Sequence, residues 1–386
     1  MRRLTARRSP RPMGSRILTV TDAIDQAQAL QALRLEIDEL DQALLTLLNR
    51  RAKCALEVAA VKEQSADNEP AIFYRPEREA QVLRGLVEKN LGPLSHEKVA
   101  LIFRQVMSAC LALEEPMQVA FLGPEGTFTQ QATLKHFGDA VIGRPFVTVD
   151  EVFREVAAEN CHYGVVPVEN STEGVVNHTL DNFLTSSLRI CGECELKVHH
   201  HFMALTTDAP IERIYAHQQT FGQCRRWLDV HYPDAVRIDA SSNAQAAKLV
   251  SRDPGAGAIA SEVAADLYGL TILSRKIEDL SDNTTRFLVV GREPVGPSGA
   301  DKTSIMVSTQ NRPGALFSLL EPFHRHGISL TAIETRPSKQ GMWSYVFFID
   351  FDGHITEPDI QAVLDEVSKD ALEVKILGSY PRALRL

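Results

Sequence analysis

The chain has 386 residues, a formal net charge of -9 and 44% hydrophobic residues, so it is long enough for two or three domains with substantial cores. Its acidic balance, without a basic stripe, argues against nucleic acid as a main partner, and no apolar run reaches membrane-spanning length. Six scattered cysteines without a signal peptide are typical of reduced thiols, so we expect a cytoplasmic protein.

The first sixteen residues contain six arginines and no acidic residue. They lack the hydrophobic stretch of a secretory leader. A disordered extension, or a start misassigned ahead of Met13, therefore explains their composition better than a targeting segment does. We therefore expect residues 1–26 to form a disordered basic extension.

One long helix follows, because apolar residues alternate at spacings of four and three, the pattern of a coiled-coil seam. The seam positions are Leu33, Ile37, Leu40, Leu44, Leu47, Arg51, Cys54, Val58 and Val61. Arg51 places a charge in this packing face, where it is costly unless an anion meets it. A negatively charged ligand between helices would offset that cost, and a register-setting polar residue is the alternative.

Two further cations lie on one edge of the same helix. Arg51 and Lys62 are about 16 Å apart along the helix, a gap that two long side chains close around a small molecule, whereas Arg34 and Lys62 are about 42 Å apart. If Arg34 serves the same site, it must come from a second, antiparallel chain. The alternative is that Arg34 and Lys62 are simply solvated.

Two shorter helices are predicted next. Pro76 starts the first of them, with a charged first turn that includes Glu79, and Ser95 is the N-cap of the second. Glu114 continues the apolar stripe of the second helix, and burial would favour its neutral form, which donates a hydrogen bond. A carboxylate at the end of such a stripe usually points to water, so both interpretations stay open.

The run LRLEIDELDQALLTLLNRR, the lysine at 62 and the segment YRPERE resemble the all-helical chorismate mutase module, over about residues 27–115. That family forms an intertwined helical dimer, so the resemblance implies a homodimer or higher homo-oligomer. The chorismate-binding residues that it implies are Arg34 from the partner chain, Arg51, Lys62, Arg75, Glu79, Cys110 and Glu114. Arg75 stands where the family often has an acidic residue and Cys110 where it often has serine, so at residue 75 the backbone N–H is the candidate group.

Between residues 117 and 292 the pattern changes to strand, polar turn and helix, repeated five times, which predicts a parallel α/β sheet in two lobes. Hydroxyls and amides fill the turns, where helix N-termini favour an anion, although Ser and Thr also cap helices without binding anything. The sequence has neither a dinucleotide-binding fingerprint nor a P-loop, so we expect no nucleotide cofactor. Cys191 and Cys194 form a lone C-x-x-C pair, and we expect no metal site.

The segment DNTTRFLVVG breaks this repeat by opening a strand with two threonines and Arg286. Together with GPEGTFT and VPVENSTEG it resembles prephenate dehydratase over the same part of the chain. In that family the threonine of the TRF triplet is essential, which implies Thr285 here, and the resemblance also implies Glu169, Asn170 and Gln223 as prephenate-binding residues. Arg286 is a further candidate, either as a contact to a prephenate carboxylate or as a structural contact, because guanidinium groups pair with carboxylates. A bilobal small-molecule sensor without turnover is the alternative.

A Pro- and Gly-rich stretch at residues 293–302 predicts a linker, and the elements from 303 to 386 follow the order of a ferredoxin-like βαββαβ unit. The segments GAL and ETRP within this unit resemble the phenylalanine-binding motifs of an ACT regulatory domain. The residues that this resemblance implies are Gly314, Ala315, Leu316, Glu334, Thr335, Arg336 and Pro337. L-phenylalanine is then the expected allosteric effector.

The three modules, in this order, resemble the bifunctional enzymes of phenylalanine synthesis. The resemblance implies conversion of chorismate to prephenate, and of prephenate to phenylpyruvate, water and carbon dioxide, with no cofactor in either step. The first step is a pericyclic rearrangement, in which Lys62 and a protonated Glu114 would stabilise charge on the departing ether oxygen. Thr285 would assist the departure of the hydroxyl group in the second.

Overall fold

The computed structural model describes residues 20–65, 74–207, 209–310, 312–337 and 345–383, with side chains from residue 27 to residue 62 in the first of these segments. The chain divides into two compact units, residues 1–58 and 59–386. Most of the predicted extension lies outside the described residues, but the first helix already begins at Val20, before the predicted boundary at residue 27.

Helix α1 spans Val20–Ser65, which confirms the predicted long helix. Its seam faces solvent, and the exposed fractions of five seam side chains lie between 55% and 60%: Leu33, Ile37, Leu40, Leu44 and Leu47. Burial of an apolar stripe is the main source of stability for a helix in a protein. The seam of α1 is therefore a surface that gains free energy by being covered.

Helices α2 (Pro76–Lys89) and α3 (His96–Glu114) begin where the sequence indicates. The Ser95 hydroxyl caps α3 by accepting a hydrogen bond from a backbone N–H of its first turn. The two helices pack against each other, and Leu83 and Ala100 are each 1% exposed. Helices α2 and α3 therefore bury apolar side chains, whereas the apolar seam of α1 is exposed.

Strands and helices alternate through the next part of the chain, as predicted. In chain order they are β1 (Gln118–Leu122), α4 (Phe128–Phe137), β2 (Ile142–Phe146), α5 (Val149–Ala157), β3 (Tyr163–Asn170), β4 (Gly174–Val175), α6 (Asn177–Phe183), β5 (Arg189–Lys197), β6 (His201–Ala204), β7 (Arg213–Ala216), α7 (Gln218–Gln223), α8 (Arg225–His231), β8 (Val236–Asp239), α9 (Asn243–Val250), β9 (Ala256–Ala260), α10 (Glu262–Tyr268), β10 (Thr271–Ser274) and β11 (Thr284–Gly291).

The first lobe contains a sheet in the order β2-β1-β3-β11-β5, with the short β4 paired to β3. β2, β1 and β3 are parallel, whereas β11 is antiparallel to both β3 and β5. β11 enters this sheet from the second lobe, after the chain has passed through β6 to β10, and therefore runs in the opposite direction. The predicted two-lobed α/β fold is confirmed, with the difference that its sheets are mixed rather than wholly parallel.

The second lobe contains a sheet in the order β10-β6-β9-β7-β8. β9, β7 and β8 are parallel, and β6 and β10 continue the sheet in antiparallel pairs. Its core is rich in small side chains, since Ala246, Ala247, Ala258 and Ala264 are fully buried. Small side chains at these positions allow α9 to pack closely against β9 and β7, and α10 to pack closely against α9.

The C-terminal domain is a four-stranded antiparallel sheet with two helices. Its elements are β12 (Asp301–Ser308), α11 (Ala315–Arg325), β13 (Leu330–Pro337), β14 (Tyr345–Asp352), α12 (Pro358–Asp370) and β15 (Glu373–Pro381), with the strand order β13-β14-β12-β15. The predicted βαββαβ fold is confirmed. β12 begins at residue 301, so the end of the predicted linker 293–302 already belongs to the sheet.

The C-terminal sheet is covered on both faces. One face packs against α11 and α12 around Phe323 and Phe351. The other face contributes Met306, Phe348 and Tyr380 to the core of the first lobe. The C-terminal domain therefore lies directly on the sheet that contains β3 and β11.

Candidate active site

A cleft of about 600 Å³ lies between the two lobes, where the parallel strands end. Four helices begin at this cleft, and their N-cap residues are Thr127, His217, Ser242 and Ser261. Each of these side chains accepts a hydrogen bond from a backbone N–H of the helix that it caps. Helix N-termini favour anions through their N–H groups and their dipoles, so the cleft suits a negatively charged ligand.

The cleft itself carries few charged side chains. Among the described residues that line it, none is lysine or arginine, and the titratable ones are Glu173, His200 and His217. An anion in the cleft would therefore be held by backbone N–H groups, hydroxyls and amides rather than by a cation. A carboxylate held in this way is desolvated without gaining an ionic partner. Desolvation favours its loss as carbon dioxide.

Asn170 at the end of β3 and Thr285 at the start of β11 are opposite each other in the sheet, and both line the cleft. Asn170 Nδ2 donates a hydrogen bond to Thr285 Oγ1 at 2.7 Å. The backbone N–H groups of Thr172 and Glu173 donate to Asn170 Oδ1, each at 3.0 Å, so the Asn170 amide has only one orientation. Because Thr285 Oγ1 is an acceptor here, its own proton remains for a ligand.

Gln223 at the end of α7 reaches the same cleft from the second lobe. Its Oε1 lies 3.2 Å from Asn283 Nδ2 and 2.7 Å from His200 Nε2, and its Nε2 lies 3.2 Å from a carboxylate oxygen of Glu173. These contacts connect the two lobes on one side of the cleft. The structure therefore brings Gln223 together with the paired asparagine and threonine, as the sequence predicts.

The other two residues predicted to bind prephenate, Glu169 and Arg286, face away from the cleft. They line a small cavity against the C-terminal sheet. Arg286 Nε lies 2.9 Å from Glu193 Oε2, and Arg286 Nη1 lies 2.7 Å from Asp350 Oδ2. Neighbouring residues of a strand point to opposite faces of its sheet. Glu169 and Arg286 therefore point away from the cleft, because their neighbours Asn170 and Thr285 point into it. Direct contact of either residue with prephenate is therefore not supported by the geometry.

Glu193 on β5 is the centre of a buried ionic network on this second face. Its carboxylate contacts Arg286 and Lys302, and it accepts a hydrogen bond from the backbone N–H of Ala383 at 3.1 Å. Burial alone would raise the pKa of Glu193, but the two cations and the hydrogen bonds outweigh burial and lower it. The network connects β5 and β11 of the first lobe to β12 of the C-terminal domain.

Comparison with known families matches all three parts of the chain. The chorismate mutase type II model matches residues 33–115, the prephenate dehydratase model matches residues 119–295, and the ACT domain model matches residues 303–368. A bifunctional chorismate mutase/prephenate dehydratase from Pseudomonas aeruginosa is 58% identical, over 93% of this chain and 99% of its own length. The chain belongs to this bifunctional family. The family assignment predicted from the motifs is confirmed.

Two solved structures resemble the dehydratase and ACT domains. The prephenate dehydratase of Arthrobacter aurescens, in complex with L-Phe, is 35% identical with a TM-score of 0.64, over 69% of this chain and 90% of that chain. The prephenate dehydratase of Staphylococcus aureus is 29% identical with a TM-score of 0.58, over 68% of this chain and all of that chain. Both likenesses support the lobes and the C-terminal domain as described above.

The mutase module carries three of its predicted chorismate-binding residues on α1. Arg34 and Arg51 are exposed, and Lys62 is half-buried near the end of the helix. Arg51 lies in the exposed apolar seam, as its place in the heptad pattern predicts. The role of these three cations towards chorismate stays a prediction.

Three more of the predicted mutase residues lie in the two shorter helices or directly before them. Arg75 precedes α2, and its side chain is 55% exposed and lies 3.5 Å from Glu77. Cys110 is buried in α3, and Glu114 is half-buried as the last residue of that helix. Burial of the Cys110 thiol leaves little room for a contact with a polar ligand, and the role of Glu114 stays a prediction.

Glu79 in α2 has an environment that the sequence did not indicate. Its carboxylate lies 3.1 Å from Arg104 Nε of α3, and both side chains are less than a fifth exposed. The pair lines a small cavity that also includes Tyr74 and His136. Burial raises the pKa of Glu79, although Arg104 opposes this effect. In the described residues Glu79 has a structural partner, and its contact with chorismate stays a prediction.

The GAL segment of the ACT domain forms the start of α11. Gly314 caps the helix with a φ of +81°, a left-handed conformation that glycine adopts without strain. A Cβ at this position would meet no atom within 4 Å, so the backbone conformation, rather than close approach, requires glycine. Ala315 and Leu316 form the first turn, and Leu316 is 41% exposed.

The ETRP segment divides between two faces of β13. Glu334 lines the cavity that contains Glu169, and Arg336 contacts Asp181 of α6 through three hydrogen bonds of 2.9 to 3.0 Å. Thr335 and Pro337 alternate with them and are exposed. Half of this predicted regulatory motif therefore contacts the dehydratase domain directly.

In the sequence, Cys191 and Cys194 form a lone C-x-x-C pair for which we expect no metal site. Cys191 and Cys194 lie in the core of the first lobe, where burial raises their pKa values to about 12 and about 11. Among the described residues, no group of three or more His, Cys, Asp and Glu side chains is arranged to hold a metal ion. His200 and Asn283, which the sequence analysis did not single out, both line the cleft. His200 lies between β5 and β6, and Asn283 lies between β10 and β11, where the chain crosses from one lobe to the other. This position next to a crossing was the signal available in the sequence.

Proposed function

We propose that this chain is a bifunctional enzyme that converts chorismate to prephenate, and prephenate to phenylpyruvate, water and carbon dioxide. The observation that carries the second activity is the hydrogen-bonded pair of Asn170 and Thr285, which offers a hydroxyl proton to a cleft without lysine or arginine among its described lining residues. A cytoplasmic location is part of the proposal, and it is supported by the six cysteines, all of which are free thiols.

In the dehydratase step, the bond from the ring to the hydroxyl oxygen and the bond from the ring to its carboxylate carbon break together. The electrons of the second bond complete the aromatic ring, and a proton from solvent converts the departing hydroxide to water. Thr285 donates a hydrogen bond to the departing oxygen, which stabilises the negative charge that develops there. The helix N-termini hold the carboxylates, and the absence of a cationic partner among the described lining residues keeps the ring carboxylate reactive.

In the mutase step, the protein holds the compact conformer of chorismate and stabilises charge on the ether oxygen. We assign the two carboxylates to Arg51 and to Arg34 of a second copy. Lys62 and protonated Glu114 donate to the ether oxygen. The exposed positions of both arginines on α1 support this assignment, because an exposed cation is available to an incoming anion.

The second copy in this assignment is also supported by the exposed seam of α1. Five leucine and isoleucine side chains of the seam are more than half exposed, and antiparallel pairing of two such helices would bury them. A homodimer, or a larger homo-oligomer built from it, follows from that pairing. Mixing Arg34→Ala chains with Lys62→Ala chains tests it, since heterodimers should regain one intact mutase site. Absence of recovery after proven subunit exchange would contradict the shared site.

Regulation by L-phenylalanine through the ACT domain completes the proposal. We place the effector at the segments from Gly314 to Leu316 and from Glu334 to Pro337, as the family motifs imply. The contacts of Arg336 with Asp181 give bound phenylalanine a direct mechanical connection to the dehydratase domain. Coupling requires that phenylalanine binds the active and inhibited states with different affinity.

A coupled assay tests both activities in one experiment. Purified protein incubated with chorismate should produce phenylpyruvate, and incubation with prephenate should produce it without the mutase step. A bilobal sensor would bind either compound without turnover. Production of phenylpyruvate from prephenate but not from chorismate would support the dehydratase and remove the mutase from the proposal.

A further inference from the structure

His200 lies where the chain crosses from the first lobe to the second, directly before β6. It is 2% exposed and lines the cleft, and its ring meets the Phe128 ring edge to face. The Nε2 atom has Gln223 as its partner, but Nδ1 is buried without a hydrogen-bond partner among the described residues. A buried polar atom without a partner is destabilising, so its presence beside a ligand cleft calls for an explanation.

The protonation of this ring is fixed by a chain of amides that begins at the backbone. The N–H groups of Thr172 and Glu173 can only donate, so Asn170 Oδ1 accepts from them and Asn170 Nδ2 must face Asn283. Asn283 Oδ1 therefore accepts, at 2.8 Å, and Asn283 Nδ2 donates to Gln223 Oε1. Each amide in this chain determines the orientation of the next.

Gln223 Oε1, which already accepts from Asn283, must also accept from His200. The Nε2 atom of His200 therefore carries a proton, and Nδ1 of the neutral ring is an acceptor. Burial lowers the pKa of His200, against the opposing effects of Gln223 and Glu278, and the neighbouring His199 and His201 lower it further. The neutral ring, with a free acceptor at Nδ1, is consequently the form that the free protein holds at neutral pH.

The ligand group that fits this atom must be a hydrogen-bond donor. The dianion of prephenate has two carboxylates and a ketone, all of which only accept, and a single donor, the ring hydroxyl. We propose that His200 Nδ1 accepts a hydrogen bond from this hydroxyl while Thr285 donates to the same oxygen. The inference rests on the dehydratase activity proposed above. It makes His200 a residue that recognises the leaving group, because the two contacts together define where the hydroxyl oxygen lies and which way its proton points.

Two substitutions separate this role from a structural one. In His200→Asn the amide oxygen stands close to the position of Nδ1, so the acceptor is kept and the donor to Gln223 is lost. In His200→Gln the amide stands close to the position of Nε2, so the donor is kept and the acceptor is lost. We expect kcat/KM for prephenate to fall about ten- to a hundredfold in His200→Gln, the range for an unmade hydrogen bond to a buried group, and clearly less in His200→Asn.

The product supplies a second measurement, because phenylpyruvate has lost the ring hydroxyl. Its inhibition constant should stay within about twofold of the wild-type value in both variants, since Nδ1 has nothing to accept from the product. Mutase activity of each variant reports that the chain is folded. His201→Asn is the matched control, because His201 is the adjacent buried histidine and is not among the residues that line the cleft.

Three results would overturn the inference: equal losses in the two variants, a larger loss in His200→Asn, or a parallel loss of phenylpyruvate binding. If neither variant folds, 15N-histidine spectra of the Thr285→Ala chain with bound prephenate decide instead. The unprotonated Nδ1 resonance should shift on addition of prephenate and stay in place with phenylpyruvate, and an unmoved resonance with prephenate contradicts the contact. Failure of the wild-type chain to convert prephenate would instead remove the proposed function itself.

Discussion

The two faces of β3 and β11 differ in charge. On the cleft face, Asn170 and Thr285 form a neutral hydrogen-bonded pair. On the opposite face, the very next side chains, Glu169 and Arg286, enter a charged environment shared with the C-terminal domain. Each of the strands β3 and β11 therefore has a polar side chain in the cleft and a charged side chain next to the C-terminal domain. A structural change on either face can be transmitted to the other through the strand backbone.

The comparison predicts the largest effect on catalysis for the cleft face. Thr285→Ala removes the donor to the departing hydroxyl, and dehydratase kcat should fall about a hundred- to a thousandfold, as for the loss of one donor to a developing oxyanion. Mutase activity should persist because it belongs to the helical module. Thr284→Ala is the control, since Thr284 begins the same strand but is not among the cleft-lining residues. Full dehydratase turnover in folded Thr285→Ala would remove this residue from the mechanism.

The opposite face should respond in stability rather than in chemistry. Arg286→Met leaves Asp350 without the cation that it contacts and Glu193 with Lys302 as its remaining cation, and an incompletely paired buried charge costs about 3 to 5 kcal/mol in free energy of unfolding. Chemical denaturation at fixed protein concentration measures this loss. Arg275→Met breaks an exposed pair instead and should cost under about 1 kcal/mol.

A second variant sharpens the same prediction. Asp350→Asn combined with Arg286→Met removes the carboxylate that has lost its ionic partner, so the double variant should be more stable than Arg286→Met alone. If Arg286→Met retained full stability and lost dehydratase activity, the residue would belong to the cleft after all.

The sequence predicted which strands carry the site but not which of their faces. The motif predicts both Thr285 and Arg286 as prephenate contacts, with a structural contact as the alternative for Arg286. Strand geometry favours the structural contact for Arg286, since neighbouring side chains are on opposite faces, and the alternation could have been applied to the sequence itself. The identity of the partners on the far face could not, because Asp350 and Glu193 are distant in the chain and meet Arg286 only through domain packing.

The fold was more accessible to sequence reasoning than the site. Heptad spacing, strand–turn–helix alternation and the βαββαβ order each depend on local patterns, and all three were confirmed. The role of His200 depends on four side chains that are brought together from β3, α7 and the two lobe crossings. No local pattern records such a network, so the sequence alone does not single out His200.

A smaller effect is expected at the ion pair between Arg336 of the ACT domain and Asp181 of α6. Arg336→Gln removes the three hydrogen bonds to Asp181. Basal dehydratase activity should change little, while the phenylalanine concentration for half-inhibition should rise about tenfold, within the usual range of allosteric coupling. Arg312→Gln, which breaks an exposed pair in the same domain, is the control. Unaltered inhibition in Arg336→Gln would show that the effector signal takes another route.

The smallest effect concerns Glu334, the other inward-facing residue of the same strand. Burial, and then the nearby Glu169 carboxylate, raise the pKa of Glu334 above its ordinary value. The unfolded chain therefore loses this proton at lower pH than the folded chain, so ionisation of Glu334 lowers stability as pH rises from about 4 towards neutrality. Glu334→Gln should be slightly more stable than wild type at pH 7 and equal to it near pH 4, as measured by urea unfolding. The exposed Glu321→Gln should show no such trend, and a stability difference that is constant across this pH range would exclude titration of Glu334 as its cause.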